Sequence, residues 1–247
     1  MEPPNILRKH FIYWILPFTA VLLCILIYFF NWLGATEVIS PSFNREFGLL
    51  ESLQVLILVI IFYIAIKAAI NKPNKLEKYL FAFIAVLSIF FLFEEIDYGL
   101  HYYDLLTGKE GEQKAFIIGG EEKIRNIHST GKNTSILKML SYIIIGLVMI
   151  ILPLLPARIK QKNSFIAYIS PSRYIVLTAI ALVIINQIAF YIYKKKIHIN
   201  RSLDSNISEF EELMFYYIIV LYIWEVAHKD KKWPFISQRK KDSKSAI

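Results

Sequence analysis

Apolar residues in this chain do not alternate or recur at helical spacing; they run almost unbroken in six blocks separated by short polar connections. The blocks cover about Phe11–Leu33, Leu49–Ile70, Tyr79–Phe93, Ile136–Leu155, Tyr174–Tyr193 and Leu213–Ala227. A helix rising 1.5 Å per residue needs roughly 20 apolar residues to cross the ~30 Å hydrocarbon layer of a bilayer. The third and sixth blocks are short by this measure, but both continue past carboxylates, Glu94 and Glu95 at one end and Glu209, Glu211 and Glu212 at the other. The pattern therefore predicts an all-α, polytopic membrane protein with one bundle of six helices over residues 1–228. The helices are expected at about 11–33, 49–70, 79–101, 136–155, 174–193 and 209–227, followed by a basic tail at 229–247. The first block is longer than a signal-peptide core and lacks a good small-residue cleavage site after it, so it reads as a retained helix. Pro17 inside it is tolerable where neighbouring helices satisfy the freed backbone groups.

Composition agrees with this class. Of 247 residues 56% are hydrophobic and 19% charged, below the ~25% charged share of soluble domains. The net charge of +8 is spread between the apolar blocks and not gathered on one domain, which argues against nucleic-acid binding and for loop charges that set orientation. Arg8 and Lys9, then Lys72, Lys75 and Lys78, then Arg158, Lys160, Lys162 and Arg173, and finally the lysine-rich tail all fall on one side of a six-helix chain. Both termini are therefore expected in the cytoplasm; only Lys194, Lys195 and Lys196 run against this assignment. The single cysteine, Cys24, lies in an apolar run and reads as a packing or lipid-facing residue, with no disulfide or thiolate metal site to build.

With that orientation, three helices bring carboxylates to the same outer leaflet. Glu51 and Gln54 open the second helix, Glu94, Glu95, Asp97 and His101 close the third, and Glu209, Glu211 and Glu212 open the sixth. His128 lies in the connection 102–135, the only extramembrane segment with room for a site, and can reach the same face. On a continuous helix Glu94, Asp97, Tyr98 and His101 would share one face, and Glu209, Glu212 and Tyr216 another.

Clustered carboxylates in low dielectric cannot all stay ionised without a cation or a shared proton, so the set suits general acid–base work, a proton relay, or a metal with oxygen and nitrogen ligands. The expected catalytic residues are Glu94, Glu95 and His128. The expected metal ligands are Glu51, Glu94, His101, His128, Glu211 and Glu212, and the cofactor such a donor set would take is a divalent metal ion. The plainer reading places these acids at headgroup depth, paired with Arg45, Lys123, Arg125 or Lys138 and favoured by helix N-termini. That last effect covers Glu51 and Glu209–Glu212 but not Glu94 and Glu95, which sit at a helix C-terminus. Glu225 and His228 have a spacing used by di-iron bundles, yet lack a matching helix and read as an interfacial pair. Asn186 and Gln187 read as makers of interhelical hydrogen bonds. Phosphate-loop, nucleophile-elbow and zincin motifs are absent, which disfavours those three enzyme classes.

The run Phe93-Glu94-Glu95-Ile96-Asp97-Tyr98-Gly99, followed by Gly120-Glu121 and Asn126-Ile127-His128, resembles a group of uncharacterised bacterial multi-pass proteins. Their motif is Glu-Glu-x-x-Trp-Gly-Gln and then Asn-x-His-Asn; here Tyr98, Leu100 and Ser129 depart from it. The resemblance implies a bacterial inner-membrane location and carries no activity with it. Three functions stay open: an enzyme acting on a lipid or lipid-linked substrate, a cation- or proton-coupled transporter or accessory subunit, and a structural assembly protein. Membrane lipids are the expected partners in each. Reporter enzymes fused within 102–135 are expected to report the outer side and those fused after Lys229 the cytoplasm; the opposite result would dissolve the shared-leaflet argument.

Overall fold

A computed structural model of the chain describes residues 9–30, 36–39, 48–108, 116–118, 122–124, 139–195 and 207–229. The chain is helical. A π-helical turn, Phe11–Ile15, leads into α1, Leu16–Phe30, followed by the one-turn α2, Thr36–Ile39. α3, Leu49–Asn71, and α4, Lys75–Glu95, form an antiparallel pair, and α5, Leu100–Thr107, follows a break. α6, Met139–Leu154, contains a second π-helical turn, Gly146–Ile151. Two short helices, α7, Ala157–Lys162, and α8, Ser164–Ile169, lead to α9, Ile175–Lys195, and α10, Ile207–Ala227. The expectation of a purely helical chain meets one exception: Phe116–Ile118 and Glu122–Ile124 pair as an antiparallel hairpin, Phe116 opposite Ile124, within the long connection.

Among the described residues α3, α4 and α9 are long and apolar enough to cross a membrane; the apolar stretches of α1 and α6 are shorter. Large apolar side chains face outward along these helices, among them Leu56, Tyr63 and Ile70 on α3 and Phe83, Val86 and Phe90 on α4. In water such surface would be a liability; against lipid it is the expected exterior.

The packing has two layers joined by α10. Met214, Ile218 and Leu221, at helical spacing, pack with α1, α6 and α9 around Cys24, Met149, Leu182 and Ile185. Tyr216, Ile223 and Val226 point the other way, into a second core with Ala65 and Ala68 of α3, Phe81 and Ala85 of α4, and Tyr168 of α8. Cys24 is thus a fully buried packing residue.

Backbone accounting explains the prolines. Pro17 has no N–H to give the Tyr13 carbonyl four residues back, and the π-helical turn lies just before it. The Thr178 hydroxyl of α9 donates to that carbonyl at 2.9 Å, and Tyr217 of α10 donates to Ile12 O at 2.7 Å. At the end of α6, Lys160 Nζ donates to Pro153 O and Ser170 Oγ to Leu152 O. Neighbours thus satisfy the carbonyl that Pro17 leaves and those exposed at the end of α6, as an apolar surrounding demands.

The described parts of the basic segments gather at one end of the bundle, where Lys9 lies over the Tyr174 ring. Lys72 Nζ donates to Lys229 O at 3.1 Å, Lys229 Nζ to the carbonyls of Tyr168 and Ser170, and Tyr168 OH to buried Glu77 at 2.8 Å. Glu225 accepts from Tyr13 OH and from the Ser172 backbone N–H and hydroxyl, while His228 is exposed and meets Trp224 O of its own helix. Glu225 therefore ties α10 to α1 and to the α8–α9 connection, apart from any bond to His228.

The interface of α3 with α4 and α10 is built on small residues, and Ala65 is wholly buried there. Ala65→Leu is expected to cost about 1–3 kcal/mol by overpacking, whereas Ile66→Leu on the exposed side stays within about 0.5 kcal/mol. Thermal unfolding of the purified protein in one detergent compares the two.

Candidate functional site

The third helix is where structure departs most from expectation. It begins four residues earlier than the spacing predicts, capped by Asn74, whose side chain accepts from Leu76 N, and it stops at Glu95 instead of continuing to 101. Asp97, Tyr98 and Gly99 take φ values of 45°, 55° and 86°, three left-handed residues in succession. For Asp97 and Tyr98 this conformation costs roughly 1–2 kcal/mol each. Glu94, Asp97, Tyr98 and His101 consequently do not share a helical face.

The break folds Tyr98 back over the helix end. Its ring stacks on Phe93, centroids 6.2 Å apart and planes 7° from parallel, and its hydroxyl donates to Glu94 Oε1. Burial, then the hydrogen bond to Glu94 and the negative charge of that group, pushes the Tyr98 phenol up to about 12. It therefore stays a protonated donor at neutral pH. Glu94 needs such a partner, because it is 1% exposed at a helix C-terminus, where the backbone dipole disfavours negative charge.

α10 brings the second group of carboxylates to the same place. Tyr216 OH donates to Glu95 Oε1 at 2.5 Å. Two turns toward the start of α10, Glu209 accepts from the Gln54 amide of α3, at 3.0 Å on Oε2 and 3.2 Å on its backbone carbonyl. Glu51, one turn before Gln54, is buried, as is Glu211. Glu211 Oε1 accepts from Asn186 Nδ2 of α9 at 2.9 Å, and the same nitrogen lies 2.9 Å from Tyr142 OH of α6.

Four helices, α3, α4, α9 and α10, thus meet at this end through hydrogen bonds to carboxylates, and α6 joins them through Tyr142 on the Asn186 amide. Glu51, Glu94, Glu95, Glu211 and Glu212 all lie on them. The backbone of His101 is in α5, whereas its side chain, and the whole of His128, lie outside the described residues, as do Arg45, Arg125, Lys138 and the Lys123 side chain. Among the described residues no three of His, Cys, Asp or Glu come together as a group that could hold a metal ion. What the arrangement offers is proton exchange between neutral phenols and carboxylates in a setting of low dielectric.

Asn186 was legible in the sequence as an interhelical hydrogen-bonding residue, but its link to Glu211 was not. Tyr142 carried no signal, since a tyrosine near the end of an apolar block reads equally well as an interfacial aromatic. Comparison with family models, with curated proteins and with solved structures finds no match to this chain.

Gly99 has open space where a Cβ would sit, so its φ of 86° alone penalises a side chain there. Gly99→Ala is expected to destabilise by about 1 kcal/mol. Gly146→Ala, equally unobstructed but within a helix, is expected to stabilise by about 0.5–1 kcal/mol. Paired melting curves read the opposite signs.

Proposed function

We propose that this chain is a multi-pass protein of the bacterial inner membrane, crossing the bilayer six times with both termini cytoplasmic, and that the outer end of its bundle is an acid–base centre acting on a lipid or lipid-linked substrate. α1, α6 and α10 supply the crossings beyond α3, α4 and α9, since each packs into the same bundle. The gathering of Lys72, Lys160 and Lys229 at one end supports the orientation through the positive-inside rule. The resemblance carried by Glu94, Glu95 and Gly99 supports the bacterial location.

The observation that carries the chemistry is Tyr216, a buried phenol 2.5 Å from the Glu95 carboxylate. A phenol and a carboxylate in hydrogen-bond contact form a donor–acceptor pair for proton transfer to a bound substrate. Glu94 with Tyr98 is a second such pair on the same helix end. His128, in the outer connection, is the third proton carrier of the proposal.

Transport is the second reading, and the link from Glu211 to Asn186 favours it by extending polar groups toward the middle of α9. Against a continuous path, Ile218 and Leu221 of α10 and Leu182 and Ile185 of α9 are buried between Glu211 and Glu225. The two carboxylates are fourteen residues apart on one helix, about 21 Å. A one-sided centre is the better account.

Wild type, Glu95→Gln and Tyr216→Phe, expressed at matched levels, test the proposal by mass spectrometry of extracted lipids and lipid-linked intermediates. Wild type is expected to shift that pool, and each variant to lose the shift by about 10²-fold or more. Identical pools in all three strains would reject the enzyme reading and leave an assembly role.

A further inference from the structure

The basic end of the bundle holds cations of two kinds. Lys72 and Lys229 are taken up within the fold: Lys229 Nζ donates to the carbonyls of Tyr168 and Ser170, and Lys72 donates to Lys229 O and lies 3.7 Å from Glu77. Lys160 and Arg173 keep donors to spare. They come from α7 and from the residues just before α9, and the last carbonyls of α6 draw those segments together. Lys160 Nζ donates to Pro153 O at 2.7 Å, and Ser170 Oγ to Leu152 O at 3.0 Å. That bond uses one of the three ammonium protons of Lys160, and Arg173 is exposed. Burial, and then the positive charge of Arg173, holds the Lys160 ammonium below its usual pKa, so the two cations act on one another. The described acids of this end are engaged elsewhere. Glu77 accepts from Tyr168 beside Lys72, and Glu225 accepts from Tyr13 and Ser172.

An apolar track leads to the same place. Leu140, Ile144, Leu147, Ile151 and Leu154 succeed one another three or four residues apart along α6, each 48–58% exposed. Leu154 directly follows Pro153, whose carbonyl holds Lys160. Exposed hydrocarbon that ends at two cations matches a phospholipid, whose acyl chains need the first and whose phosphate needs the second. A free phosphate in water has no use for the track.

We propose that Lys160 and Arg173, together with the exposed face of α6, form a binding site for one anionic phospholipid at the basic end of the bundle. The site rests on the membrane-spanning reading above and not on the acid–base centre, and it narrows the lipid partners to a charge class. The planar fork of Arg173 fits two phosphate oxygens, and Lys160 adds a point charge with two further donors. A zwitterionic lipid carries its own cation into a place that already holds two, whereas a glycerol headgroup does not. The bound phosphate offsets the repulsion between Lys160 and Arg173 and ties α7 to the start of α9.

Native mass spectrometry of the detergent-purified full-length protein, titrated with phosphatidylglycerol or phosphatidylcholine of the same acyl chains, counts bound lipids one at a time and tests the site. The first phosphatidylglycerol is expected to bind at least fivefold more tightly than the first phosphatidylcholine. Arg173→Gln and Lys160→Gln are each expected to weaken it about fivefold, the weight of one cation near an anionic surface. The double variant Lys75→Gln with Lys78→Gln removes two charges from exposed positions at the start of α4 and is expected to leave that affinity unchanged. Should Lys160→Gln fail to fold, Arg173→Gln, at an exposed position, carries the test. Equal affinity for the two lipids, wild-type affinity in Arg173→Gln, or an equal loss in the α4 double variant overturns the site. Displacement of phosphatidylglycerol by inorganic phosphate at matched ionic strength overturns it too, by making the cations a site for soluble anions. The topology reporters read the membrane placement separately, so a failed titration beside reporters that behave as expected rejects this site alone.

Discussion

The structure depends on a helix that buries opposite sides at once. α10 packs Met214, Ile218 and Leu221 into one core and Tyr216, Ile223 and Val226 into the other, so its polar side chains have neighbouring helices around them. In low dielectric a polar group left without a partner is costly and a satisfied one is strong. Five polar residues of α10 accordingly fix neighbours: Glu225 holds Tyr13 and Ser172, Tyr217 holds the Ile12 carbonyl, Tyr216 meets Glu95, Glu211 meets Asn186, and Glu209 meets Gln54. The positions of α1, α3, α4 and α9 follow from these bonds as much as from apolar packing.

The two ends of the bundle solve the same problem with different chemistry. At the basic end, cationic Lys229 and Lys72 donate to backbone carbonyls, and Lys72 also lies 3.7 Å from Glu77. Glu77 there stands beside an ammonium group and also accepts from Tyr168, while Glu225 accepts from Tyr13 and Ser172, contacts that fix loops to helices. At the opposite end, the described bonds to Glu94, Glu95, Glu209 and Glu211 come from phenols and amides, which satisfy lone pairs without cancelling charge.

Strain is concentrated at that same end. Asp97 and Tyr98 occupy left-handed conformations ahead of Gly99, and the return is a phenol aimed back at Glu94. Backbone cost of this kind persists where surrounding contacts over-determine it, and it clusters at functional sites. Pro17 of α1 and the end of α6 show the complementary case, in which carbonyls without a helical donor are satisfied by Thr178 and by Lys160 and Ser170.

The sequence alone determined that this chain is helical, where its long apolar helices lie, and that Glu94 and Glu95 stand at a helix end unfavourable to them. Block length against bilayer thickness and the cost of buried charge decide those points without reference to any partner. Tertiary structure alone decided that the third helix breaks at Glu95, that Glu225 binds Tyr13 and Ser172 away from His228, and that Asn186 reaches Glu211. The physical reason is that α3, α4 and α9 are apolar on every side, since lipid and protein both accept hydrocarbon. Hydrophobic periodicity, which in a water-soluble helix points to the buried face, therefore carries almost no information about which neighbour each face meets.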